Sequence, residues 1–176
     1  MSALNARRDG SACKTGNEKM AVSFTVRDEI SVQASIERCF TLSTSIELVQ
    51  AELGMLPVGG RINGFVVDGD TVLWRGWKFC LPHKHESVIE AFNPPIFFRD
   101  RMISGRFATF EHDHNFMTQP DGSVLLHDEM RFTLPWGALG TLVGRWMVVP
   151  HAKRLLRRRF ALIKRIAEGE GGYLHA

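Results

Sequence analysis

The residues best placed to do chemistry are His112, His114 and Asp128. Residues 110–116 read Phe-Glu-His-Asp-His-Asn-Phe, and residues 126–132 read Leu-His-Asp-Glu-Met-Arg-Phe. Side chains two apart on a strand share a face, so the two histidines emerge together, flanked by Phe110 and Phe116. Between the runs stands Pro120-Asp121-Gly122, the composition of a three-residue hairpin loop closed by a left-handed glycine. Such a loop sets Gln119 opposite Ser123 and predicts the register. Phe110 then faces Phe132, His112 faces Met130, His114 faces Asp128 and Phe116 faces Leu126. The other face pairs Thr109 with Thr133, Glu111 with Arg131 and Asn115 with His127. Asp113 falls beside Glu129, a like-charge pair expected only in solvent.

An imidazole oriented by a carboxylate on an apolar wall can act as a general base, or donate to a ligand oxygen. The same three residues can instead form a satisfied inner network that fixes sheet register and pocket shape. They can also ligate a metal, for which His83 and His85 offer a second same-face pair. Gly105 ahead of a His-x-His motif resembles the cupin pattern, but the spacing is one residue long. The glutamate that should follow is replaced by Met117-Thr118-Gln119. No metal and no cofactor are expected.

Two further polar residues are candidates. Arg75 stands in Leu73-Trp74-Arg75-Gly76-Trp77-Lys78-Phe79, where Leu73, Trp77, Phe79 and Leu81 form the more apolar face. That pattern places Arg75 inward with Trp77, able to bind a ligand carboxylate or phenolate. The alternatives are an ion pair with Asp100, or a strand slipped by one residue. Asp100 shares a face with Phe98 and Met102 and is expected to pair with an arginine. Phe110, Phe116, Phe132 and Trp146 serve as core or as pocket lining. Phosphate loops, nucleotide fingerprints and nucleophile elbows are missing, since Gly137, Gly140 and Gly144 follow no parallel strand.

These residues need a scaffold. The 176 residues fit one domain, and 44% of them are hydrophobic, with 12 Phe, 4 Trp and a single Tyr. That load suits a large core or an apolar cavity. The net charge is +3, with the basic residues concentrated toward the C-terminal end. Cys13, Cys39 and Cys80 share no short spacing and read as free thiols of a reducing compartment. Residues 1–19 are polar, predicting a disordered extension without the apolar segment of a signal peptide. No apolar run reaches membrane-spanning length, and a cytoplasmic location is expected.

Residues 20–32 predict a long strand, and Ser35 caps a short helix. A second short helix runs near Ile46 to Leu53 and stops at Gly54. Gly59-Gly60 marks a break. Asp68-Gly69 predicts a hairpin between strands over Gly64–Val67 and Val72–Leu81. Further strands follow from near His85 to Asn93 and from Ile96 to Ile103, and then the histidine hairpin. After Pro135-Trp136-Gly137 the period changes: Leu142, Trp146, Val149, Leu156, Phe160, Ile163 and Ala167 recur at threes and fours. This predicts a long amphipathic helix kinked at Pro150, with Arg154, Arg157, Arg158, Lys164 and Arg165 on its solvent face.

Phe98-Arg99-Asp100, Gly105-Arg106-Phe107, the run His112–Phe116, Asp128 and the run Leu134–Gly140 carry a resemblance. They resemble a pattern in small cyclase/dehydrase-like members of the START-related superfamily, also called SRPBCC. That superfamily includes birch-pollen-allergen-like (Bet v 1-like) proteins and polyketide cyclases. The element order over residues 20–168 is similar to its helix-grip fold. The resemblance implies an α+β domain, a curved antiparallel sheet of about seven strands wrapped around a long C-terminal helix, with two short helices after the first strand. It leaves 169–176 as a tail. It also implies a cavity for a small hydrophobic molecule, and no particular activity, because members include carriers, receptors and enzymes.

The expected function is therefore binding of a small hydrophobic ligand. Arg75 and Trp77 on one strand, Phe98 and Asp100 on another, and Trp146 on the helix are expected to contribute. The hairpin would add Phe110, His112, His114, Phe116, Asp128, Met130 and Phe132. One alternative is a polyketide cyclase/dehydrase-like enzyme using His114, Asp128 and His112 in acid–base chemistry. Another is an interaction protein using the basic helix face. Nucleic acid is not expected, since no stacking motif accompanies that face. Stable membrane insertion is not expected either, and a monomer or homodimer is.

Overall fold

The computed structural model describes residues 22–169. The extension expected over 1–19 and nearly all of the tail expected over 169–176 lie outside the described residues. Seven strands form one antiparallel sheet: β1 (Ser23–Val32), β2 (Leu56–Gly60), β3 (Thr71–Lys78), β4 (Leu81–Asn93), β5 (Phe97–Ser104), β6 (Thr109–Thr118) and β7 (Val124–Thr133). Their spatial order is β1-β7-β6-β5-β4-β3-β2, so the first strand lies beside the last. Helices α1 (Ile36–Ser43) and α2 (Ile46–Leu53) follow β1. After β7 come α3 (Gly137–Val143), a π-helical segment over Gly144–Val148 and α4 (Val149–Glu168). Helix α4 lies against β1, β7, α1 and α2. This is the helix-grip α+β architecture.

Local chemistry explains the short helices. Ser35 Oγ accepts from the Arg38 N–H at 3.2 Å, and Ser45 Oγ accepts from the Leu48 N–H at 3.3 Å, so each helix begins on a capping serine. Helix α2 stops at Gly54, which is left-handed with φ +60°. The β6–β7 register is the predicted one, with His114 opposite Asp128 and His112 opposite Met130. Gln119 N–H donates to the Ser123 carbonyl at 2.8 Å, and Gly122 takes φ +83°. Strand β7 then buries every second residue: Val124, Leu126, Asp128, Met130 and Phe132.

Elsewhere the expected pattern is corrected. Gly64–Val67 is not a strand of the sheet; the partner of β3 is β2. The Ile46 N–H donates to the Gly64 carbonyl at 2.8 Å, and the Val66 N–H donates to the Thr44 carbonyl at 3.0 Å. These bonds commit residues 64–66 to the junction between α1 and α2. The Asp70 carboxylate closes that loop through the Val67 N–H and the Arg61 guanidinium. Strand β3 also faces the other way. Val72 and Trp74 are buried, so Arg75 and Trp77 point outward, and Trp77 is 69% exposed. An apolar side chain near a sheet edge is not bound to be inside.

The long helix is broken before Pro150, at the π segment. Proline has no N–H to give the carbonyl four residues back, and Gly144 is pressed so close to the Phe24 ring that a Cβ there would overlap it. A π turn holds more residues than an α turn, so the phase of α3 differs from that of α4. Leu142 and Trp146 consequently face solvent, whereas Ala152, Leu156, Phe160, Ile163 and Ala167 are buried as one stripe. Asp113, expected in solvent, is buried; Arg99 and Arg131 neutralise it at 2.5 and 2.8 Å, and Arg27 and Arg131 hold Glu129.

Two apolar clusters make the interior. In the first, the Phe40 ring meets Phe92, Phe98 and Phe116 edge-on at 5.4, 5.6 and 5.4 Å. In the second, Phe24 stacks on Phe132 at 5.5 Å beside Val26, Leu134 and Leu156.

Candidate functional site

Members of both clusters line one cavity of about 300 Å³ between the sheet and α4. That is the low end of the range for small-molecule sites, roughly 300–1,000 Å³. Its apolar wall includes Ile46, Val72, Trp74, Ile89, Ala152 and Leu155. Strands β5, β6 and β7 add Phe98, Asp100, Phe110, His112, His114, Met130 and Phe132, all of which the sequence places there.

The other expected ligand contacts lie elsewhere. Arg75 and Trp77 are on the outer face of β3, and Trp146 is 74% exposed on the π segment. Phe116 is buried in the aromatic cluster rather than on the wall. Asp128 stands behind the wall, 2% exposed, and reaches the cavity through the two histidines and Arg159. Among the described residues Asp100 makes no ion pair with an arginine. Its neighbours Arg99 and Arg101 turn to the outer face, onto Asp113 and Glu90. Its Oδ1 is buried without a hydrogen-bond partner. His83 and His85 lie near the start of β4 and line the cavity.

The polar centre is larger than the three residues read from the sequence. His112 Nε2 lies 3.2 Å from Asp128 Oδ2 in a hydrogen bond, and His114 Nδ1 lies 3.1 Å from Asp128 Oδ1, off the line a hydrogen bond requires. The imidazoles are 3.8 Å apart, centre to centre, and His114 stacks on Phe98 at 4.2 Å. Arg159 of α4 completes the centre. Its Nε is 3.1 Å from Asp128 Oδ2, its Nη1 bonds Glu52 Oε2 at 3.3 Å, and its Nη2 donates to the Ser43 carbonyl at 3.3 Å. One guanidinium therefore ties α4 to β7, to α2 and to the end of α1.

Burial decides the protonation states. It pushes His114 down to about 3, with His112 and Arg159 adding to the effect and Asp128 opposing it. His114 is a neutral imidazole at neutral pH. Burial alone would raise Asp128, but the His114 and Arg159 contacts on its oxygens outweigh that and hold it well below the carboxylate range. Glu52 moves up, because its burial outweighs Arg159. At the other end of the cavity burial lowers His83 to about 4 and lowers His85 as well. The wall thus presents His83, His85 and His114 as neutral imidazoles, able to donate or accept, along with Asp100.

His112, His114 and Asp128 bring one donor atom each within 4.8 Å of one another, a spacing a transition-metal ion can span. Arg159 competes for that role: its guanidinium already supplies the positive charge on Asp128.

Arg159 and Glu52 had a signal in the sequence. Arg159 falls three after Leu156 and four before Ile163, inside the apolar stripe of α4, and Glu52 falls three after Val49 on α2. A charge on a buried stripe implies a buried partner. The partner on the sheet, Asp128, lay at the buried phase of β7.

Comparison with known proteins gives the fold. No family model matches the chain, and no curated protein matches it by sequence. Solved structures do match. A Thermus thermophilus protein is 16% identical with a TM-score of 0.62, over 79% of this chain and 96% of its own. A START superfamily protein of Mycobacterium smegmatis is 12% identical with a TM-score of 0.62, over 81% and 98%. Norcoclaurine synthase of Thalictrum flavum, in complex with dopamine and hydroxybenzaldehyde, is 12% identical with a TM-score of 0.60, over 93% and 96%.

Proposed function

We propose that this chain, whose fold is that of the START-related, Bet v 1-like proteins, binds a small hydrophobic molecule carrying a polar end group. One observation carries the reading. The cavity wall is apolar, yet Ser43 and Asp100, which line it, each keep a buried oxygen without a hydrogen-bond partner among the described residues. Buried polar atoms are nearly always satisfied, and leaving one unmade costs about 1–3 kcal/mol. A ligand whose body fills the apolar space and whose hydroxyl or amide reaches these atoms offsets that cost.

In this reading His112 and His114 hydrogen-bond the ligand, and Asp128 orients both rings from behind. Arg159 keeps Asp128 ionised, and burial keeps His114 neutral against the pull of that carboxylate. The bound complexes of norcoclaurine synthase, an enzyme of the same fold, lend support to a small aromatic occupant.

Native mass spectrometry of the protein purified from its own host tests the proposal. The expected result is a small apolar molecule that dissociates on unfolding and is lost from a Met130→Trp variant. Protein that carries nothing, and takes up no apolar probe, overturns it. Turnover with a bell-shaped pH profile that His114→Ala abolishes would replace binding by acid–base catalysis on the same residues.

A further inference from the structure

We infer that the face built by α3, the π segment and the turn between β3 and β4 docks on an anionic lipid bilayer. Trp136, Leu139, Leu142 and Trp146 are 66%, 61%, 57% and 74% exposed. Positions 139, 142 and 146 follow three-and-four spacing, so they form one apolar stripe. A helix of a globular domain turns such a stripe to the core; here the π segment turns it to solvent. Phe79, Leu81 and Met147 extend it around the cavity mouth.

Backbone strain supports a function for this face. Trp136 sits at φ +76° and Phe79 at φ +52°, left-handed conformations that bulky side chains avoid. Strain of this kind concentrates at functional sites.

Charge selects the occupant. The sequence holds no Asp or Glu between Glu129 and Glu168, while Arg145, Lys153, Arg154 and Arg158 are exposed beside the apolar stripe. Tryptophan and leucine flanked by basic side chains are the composition of a helix lying in the headgroup region of an acidic bilayer. A second copy of the same face would bring like charges together. A nucleic acid would use the cations and leave the four apolar side chains in water. Trp136, Phe79, Leu81 and Met147 also line the cavity, so a docked domain opens it toward the acyl chains. That last consequence rests on the ligand-binding reading; docking itself does not.

Sedimentation of the full chain with phosphatidylcholine vesicles, with and without phosphatidylserine, tests the inference. Binding is expected to the phosphatidylserine vesicles only, with a blue shift of tryptophan emission and release by raised salt. Leu142→Ser with Trp146→Ser, and separately Arg145→Gln with Lys153→Gln and Arg154→Gln, should each weaken binding at least roughly tenfold. These side chains are exposed, and circular dichroism checks that the variants fold. Met130→Trp, which fills the cavity, should bind vesicles as before; it therefore separates failure of docking from failure of ligand binding. No binding to either vesicle, equal binding to both, or a dimer that the Leu142→Ser/Trp146→Ser variant dissociates overturns the inference.

Discussion

Arg159 Nε approaches Asp128 Oδ2 to 3.1 Å with both side chains buried, and this pair joins α4 to the sheet at the back of the cavity. Neither charge has water to fall back on. Breaking such a pair from one side leaves an uncompensated buried charge.

Arg159→Met should therefore destabilise the fold by about 3–5 kcal/mol, a large share of the roughly 5–15 kcal/mol of an ordinary domain. Asp128→Asn should cost a similar amount. The double variant should lose clearly less than the sum, because the Asp128–Arg159 contact is lost only once, while Glu52 loses Arg159 in the Arg159→Met and double variants alike. Urea unfolding of the four proteins measures this, and additive losses would deny the coupling.

His114 gives the stability a pH dependence. Its folded value is about 3 against an ordinary 6.5, so the unfolded chain takes up the proton first. Stability is complete above about 6.5 and is lost as pH falls toward 3. From pH 7 to pH 5 the loss from this group is about 2 kcal/mol. Asp128, held low, adds its own loss only below its ordinary 3.8. Urea midpoints should fall over this range in the native chain and fall less in His114→Asn. A native chain equally stable at both pH values would refute the buried neutral imidazole.

The hairpin was legible in the sequence for a physical reason. A three-residue loop has few geometries, and it sets ten cross-strand pairs at once. The short helices were legible through Ser35 and Gly54. Strand β3 was not, because Leu73 and Trp77 make its outward side as apolar as the side of Val72 and Trp74, and the turn at Phe79 breaks the alternation that Phe79 and Leu81 extend in the sequence. The mouth of the cavity was hidden for a related reason: a π segment leaves no mark on hydrophobic periodicity, so Leu142 and Trp146 looked like core. Arg159 was readable as a charge in an apolar stripe, but its partner Glu52 is 107 residues away. Only the packing of α2 against α4 brings the two together.

Cavity volume offers a third test. Met130→Trp places a larger ring in a space of about 300 Å³. Binding of a fluorescent apolar probe should weaken at least roughly tenfold, at a cost in stability of about 1–3 kcal/mol. Unchanged probe binding would place the site elsewhere.

Gly144 supplies a fourth. A methyl group there meets the Phe24 ring, so Gly144→Ala should destabilise by about 1–3 kcal/mol. Adding Phe24→Leu makes room and should restore part of the loss, measured by thermal unfolding. A neutral Gly144→Ala would show that β1 and the π segment are not in close contact.

A π turn holds one residue more than the α turn it replaces. Each residue of an α-helix advances the chain by about 100° of rotation, so the extra residue shifts by about that angle which positions of α3 and the π segment face the core, relative to an uninterrupted α-helix. Without it, Leu142 and Trp146 would continue the buried stripe of α4; with it they stand at the rim. What this domain shows to its surroundings is thus set by a backbone surplus of a single residue.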